Sequence, residues 1–227
     1  LIVTVLFSPA VLANYYQQIV KQELYEHGRM SYIRRCAGCH GLKGDGNGPG
    51  AKFLNPSPRD FTKGVYKFRS TPIGSLPTDK DLLKTLSHGL LGTSMPDFSF
   101  VPEKERMAII QYIKGFYPKW REQHKNSEPV VQGKPYPKQD FLSYPKFIQR
   151  AKNGRAFFIE ACATCHGRLG LGNGEGGEGL EDDWGKLIKP ANLTKRFIKT
   201  GRGPEAIYHT LLTGIDGTPM PSFKDTY

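Results

Sequence analysis

Cys36-Ala37-Gly38-Cys39-His40 and Cys162-Ala163-Thr164-Cys165-His166 contain all four cysteines of this 227-residue chain. Two thiols one helical turn apart can each add to one vinyl group of a porphyrin, and a histidine beside the second thiol then lies under the iron. Each pentapeptide therefore reads as a covalent attachment site for heme c. A lone C-x-x-C pair also serves zinc and dithiol chemistry. A zinc knuckle, however, needs two pairs close together, and these stand 126 residues apart, each with its trailing histidine.

The duplicated motif also divides the chain, whose length suits one large or two small domains, into two of about 100 residues. Hydrophobic residues make up only 38%, thin for two cores unless a large flat ring supplies apolar surface to each. The net charge is +11, which favours acidic partners or anionic lipid. The basic residues are scattered and no nucleic-acid-binding motif accompanies them, so nucleic acid is the weaker reading.

A second repeated signal follows each motif: Gly92-Thr93-Ser94-Met95-Pro96-Asp97-Phe98 and Gly217-Thr218-Pro219-Met220-Pro221-Ser222-Phe223. Met95 lies 55 residues after His40, and Met220 lies 54 after His166. A thioether is a frequent sixth ligand opposite histidine in electron-transfer hemes, and matching context and distance favour ligation over gap-filling in a core. Met30 and Met107 have no counterparts in the repeat and read as core. His88 and His209 do not align with each other and, like His27 and His124, read as surface residues.

The runs GLKGDGNGPG after His40 and GRLGLGNGEGGEG after His166 superficially resemble nucleotide loops. With no strand before them and no helix with an acidic partner behind them, they read instead as backbone bending close around the porphyrin edge. Pro58-Arg59-Asp60-Phe61-Thr62 aligns with Pro190-Ala191-Asn192-Leu193-Thr194. A backbone carbonyl here, from Pro56 or Pro58 in the first half and from Pro190 in the second, is expected to accept the Nδ1 proton of the ligand histidine. Thr78-Asp79-Lys80-Asp81 is a capping box opening a helix that Gly89 stops, and Pro204 opens its counterpart, which ends at Gly214.

Residues 17–35 carry a helical pattern (Ile19, Val20, Leu24, Met30, Ile33) interrupted at Gly28, and Gly154-Arg155-Ala156-Phe157-Phe158-Ile159-Glu160 repeats the short lead-in helix. Residues 102–114 form a helix expected to close the first domain against the opening one, with Met107, Ile110 and Ile113 on one face. No such helix follows Met220, and the expectation is either residues beyond Tyr227 or a partner surface covering that face. The expected domains are 23–117 and 146–227, joined by a proline-rich, semi-extended linker over 118–145. Residues 1–22 form an N-terminal apolar segment. LIVTVLFSPAVLA at 1–13 reads either as a signal-peptide remnant ending in Val-Leu-Ala or, with Tyr15 and Tyr16 as an interfacial belt, as the retained end of a membrane anchor; retention is the expectation. Both place the rest on the periplasmic or equivalent side.

From Glu23 to Tyr227 the chain resembles the diheme class I cytochromes c, two tandem cytochrome c domains. The segments NPSPRDFTKGVYKFRSTP (55–72), GTSMPDF (92–98), DDWGKLIKPANLT (182–194) and GIDGTPMPSF (214–223) further resemble diheme cytochromes that accompany bacterial respiratory complexes. The resemblance implies an all-α electron carrier rather than an enzyme. In it Cys36, Cys39, His40 and Met95 hold one heme and Cys162, Cys165, His166 and Met220 the other, passing single electrons between respiratory redox partners. A diheme peroxidase, which needs asymmetric hemes, and a structural heme subunit of a larger assembly are the alternatives.

Overall fold

The computed structural model describes residues 8–121, 147–195, 198–201 and 203–226. Among these the fold is all helical: α1 (Pro9–Arg35), α2 (Ala37–His40), α3 (Asp79–His88), α4 (Glu103–Lys114), α5 (Phe147–Phe157), α6 (Ala163–His166) and α7 (Pro204–Thr213). One isolated bridge between Glu181 and Leu187 is the nearest thing to a strand among the described residues. Two compact units are present. The first comprises the described residues of Leu1–Gly64, Leu86–Gly89 and Asp97–Val130, and the second those of Val65–Thr85, Leu90–Pro96 and Val131–Tyr227.

The first unit is built on the crossing of α1 and α4. Gly28 does not interrupt α1, which runs unbroken from Pro9 to Arg35. Instead it lets α4 approach so closely that a Cβ there would lie 2.0 Å from the carbonyl oxygen of Ala108. The buried face of α1 is Gly28, Ser31 and Tyr32, spaced three and four apart as one helical stripe requires. Met30 (56% exposed) and Ile33 therefore face outward, contrary to the apolar reading of the sequence. Tyr32 packs on Tyr112 and Phe116, with ring centroids 5.2 Å away in each case. Phe116 and Tyr117, just past α4, cover Gly44 and Gly64. Polar contacts close the crossing, with Ser31 Oγ donating to Glu105 Oε1 at 2.8 Å and Arg35 Nε reaching the same oxygen at 3.2 Å.

The expected linker begins as a helical turn at 118–121, with Trp120 buried; its remainder lies outside the described residues. So do residues 1–7 of the N-terminal segment. No helix among the described residues is long and apolar enough to cross a membrane.

The capping box is reciprocal, with Asp81 N donating to Thr78 Oγ1 at 3.1 Å and Thr78 N to Asp81 Oδ2 at 2.9 Å. Pro204 opens α7 and Gly214 ends it at φ 62°, each in the role its backbone favours. In the second unit α5 passes into a π-helical turn, Phe158–Cys162, before α6. The lead-in is thus one wider turn rather than plain helix.

Candidate functional site

Both pentapeptides fold alike. A single helical turn carries the second cysteine and the histidine, with the first cysteine just before it. The chain then leaves through Gly41 at φ 80° and Gly167 at φ 75°. Gly46 N donates to His40 O at 2.9 Å and Gly172 N to His166 O at 2.8 Å, while Gly48 N to Cys39 O and Gly174 N to Cys165 O are both 3.1 Å. A Cβ would stand 2.5 Å from Gly38 O at Gly48, and 2.2 Å from Thr164 O at Gly174. The close approach that demands glycine is thus to the attachment motif's own carbonyls.

The histidine rings are aimed by the same device in each half. His40 Nδ1 lies 3.0 Å from Arg59 O, and His166 Nδ1 lies 3.0 Å from Ala191 O. Donation from Nδ1 fixes the tautomer that leaves the Nε2 lone pair for iron. The accepting carbonyl belongs to the residue after Pro58 and Pro190, one position beyond that read from the sequence. Asp60 Oδ1 accepts from Thr62 N at 2.8 Å and Asn192 Oδ1 from Thr194 N at 3.0 Å. These turns point the preceding carbonyl at the ring. The repeated Asp/Asn-x-Thr was the signal for it.

All four thiols are free of disulfides. Burial pushes the Cys36 thiol up to about 12 and raises that of Cys162, the opposite of a tuned catalytic thiolate. Burial also holds His40 below its ordinary value, which favours the neutral ring that binds metal. Free paired thiols, an aimed neutral imidazole and the thioethers described next are the donor set of a covalently held heme.

The methionine loops match bond for bond. Thr93 Oγ1 donates to Leu90 O at 2.7 Å and accepts from Met95 N at 3.1 Å, and Leu90 N donates to Met95 O at 3.1 Å. In the second loop Thr218 Oγ1 donates to Ile215 O at 2.7 Å and accepts from Met220 N at 3.2 Å, and Ile215 N donates to Met220 O at 3.1 Å. Sequence reasoning named the methionines but missed the threonine two residues before each, although the repeat displayed it. Cys162, Cys165, His166 and Met220 belong to the second unit; Cys36, Cys39 and His40 belong to the first, and Met95 lies in the segment Leu90–Pro96 of the second.

The halves differ around the histidine. Phe61 stacks on His40 with centroids 4.6 Å apart and planes 20° from parallel, where the second half has Leu193. Tyr32 Oη donates to Gly41 O at 2.7 Å, where Phe158 holds the matching position without a hydroxyl. His27 and His88 are exposed. His209, expected at the surface, keeps only 19% of its side chain exposed, beside Glu205. His124 lies outside the described residues.

Residues 25–116 match the cytochrome c family, and residues 149–227 match the family described as cytochrome C oxidase, cbb3-type, subunit III. A chain of the reducing HAO-like protein complex of Kuenenia stuttgartiensis is 35% identical, with a TM-score of 0.77, over 89% of this chain and 89% of that one. No curated protein matches significantly. With that identity held over nearly the whole length, and the attachment turn, aimed histidine and methionine loop each present twice, the chain belongs to the cytochrome c family, as two cytochrome c domains in tandem.

Proposed function

We propose that the protein carries two hemes c, each with histidine and methionine as axial ligands, and passes single electrons between redox proteins. Cys36, Cys39, His40 and Met95 hold one heme, and Cys162, Cys165, His166 and Met220 the other. The carrying observation is that the supports of the ligand residues are duplicated: each histidine is pinned through Nδ1 at 3.0 Å to a backbone carbonyl, and each methionine sits in the same threonine-braced loop. When bound, such a heme supplies reversible one-electron chemistry at iron, its potential raised by thioether ligation. The protein's own residues would hold such a group on both sides, His40 with Met95 and His166 with Met220, and so would leave neither iron open to substrate.

The partners are redox proteins, a reading supported by the relative's place in a multi-chain complex and by the net charge of +11, which suits an acidic docking face. Location outside the cytoplasm follows from the usual site of heme c attachment, and contact with a membrane through residues 1–13 completes the reading. The test is the ferric absorption spectrum with a potentiometric titration. Two one-electron steps and the weak far-red sulfur-to-iron band are expected. Absence of that band refutes methionine ligation, and rapid peroxide turnover refutes the carrier role.

A further inference from the structure

The two methionine loops share their backbone bonds but not their surroundings. Within the second unit, the Arg69 side chain is fully buried and its Nη2 lies 3.0 Å from both Asp216 Oδ1 and Thr213 O. Its Nε donates to Pro72 O at 3.1 Å. Gly74 N donates to both Asp216 oxygens, at 3.2 and 3.3 Å. Thr213 is the last residue of α7, and Asp216 stands inside the loop that Ile215 N closes onto Met220 O. The next residue of the loop is held as well, with Asp183 N donating to Gly217 O at 3.1 Å. Trp184 and Val65 lie so close over Gly217 that a Cβ there would be 2.6 Å and 3.2 Å from them. Among the described residues the first loop shows no equivalent. Leu91, half exposed, stands where Asp216 does, and no described residue comes within 4 Å of a Cβ on Gly92.

We infer that Arg69 is a positioning residue for Met220: with Asp216 it clamps the second ligand loop, so that the second thioether is held more firmly than the first. The clamp ties Arg69 to Thr213, 144 residues away in the chain, and to Asp216; Nη2 engages one carboxylate and one carbonyl while Nε engages a second carbonyl, a geometry that a single-point cation does not reproduce. Removing one partner of a buried pair leaves the other desolvated and unpaired, which drives the loop open. The inference rests on Met220 being an axial ligand, and the experiment separates the two claims.

In full-length holoprotein carrying Met95→His, the far-red band reports Met220 alone, and its absence there refutes the ligation itself. Imidazole is then titrated into the ferric protein and the band followed. Arg69→Gln lowers the displacing imidazole concentration by about tenfold or more, and Asp216→Asn, which keeps the shape and one acceptor, lowers it less. The double variant is no worse than Arg69→Gln, because the two residues act as one device. Arg69→Lys does not restore the parent value. In the reverse background, Met220→His, Arg69→Gln leaves displacement of Met95 unchanged. An unchanged midpoint for Met220 in variants with full heme content overturns the inference, even where their thermal stability falls. Should Arg69→Gln not accumulate with heme, Asp216→Asn decides alone.

Discussion

Replacing Gly28 with alanine sets two effects of opposite sign against each other. Glycine inside a helix costs about 1 kcal/mol relative to alanine, so helix propensity alone makes Gly28→Ala stabilising. In the fold the added Cβ would stand 2.0 Å from Ala108 O, 2.5 Å from Ala108 C and 3.1 Å from Tyr112 Cβ. The first two are backbone atoms of α4 that cannot rotate away, so the helices must part by about 1 Å at their crossing. Overpacking of this kind costs about 3 kcal/mol, because Tyr112 carries the contacts of Tyr25 at 5.1 Å and Tyr32 at 5.2 Å. The net expectation is a loss of about 2 kcal/mol, a fall in urea midpoint of about 1 M for a domain of this size. The assay is urea unfolding of the holoprotein in a Met220→His background, followed by the far-red band of the first heme. A variant as stable as its parent, or more so, refutes the close crossing.

Thr93→Val and Thr218→Val each remove a bond to a carbonyl and orphan the methionine amide, at about 1 kcal/mol per bond; the far-red band of the affected heme weakens, and serine at either position restores it. Gly174→Ala puts a methyl 2.2 Å from Thr164 O and displaces the second attachment turn, so heme content by pyridine hemochrome falls towards one per chain while the first site stays loaded. The Glu105 carboxyl is held below its ordinary value of 4.5, first by the Ser31 hydroxyl and then by Arg35. A group with a lowered folded pKa contributes stability that is complete above its unfolded value and lost as pH falls through the folded one. The first unit's urea midpoint should therefore drop below about pH 4.5, and Glu105→Gln, lower at neutral pH, should flatten that dependence.

Where recognition rests on residues adjacent in the chain, the sequence by itself was decisive. The C-x-x-C-H spacing is set by the reach of two thiols across one helical turn, and Thr78–Asp81, Pro204 and Gly214 act on backbone within four residues. All of these stand in the structure where the pattern put them. The repeated Met-Pro context and the matching distance from each histidine singled out both methionines, while the threonine that braces each, two positions away, was displayed by the same repeat and missed. What depends on which surfaces meet was not legible in this way. Gly28 reads locally as a helix break and becomes the contact point of α1 with α4 only once α4 lies across it. Met30 and Ile33 fit an apolar stripe yet face outward, because Gly28, Ser31 and Tyr32 form the stripe that α4 covers. The carbonyl that aims each histidine moved by one residue from the expected proline, since its direction is set by the turn at Asp60 or Asn192. Arg69 and Asp216 carry no joint pattern at all: a buried ion pair between distant positions exists only where folding brings both charges out of water together, and only the tertiary structure could decide that.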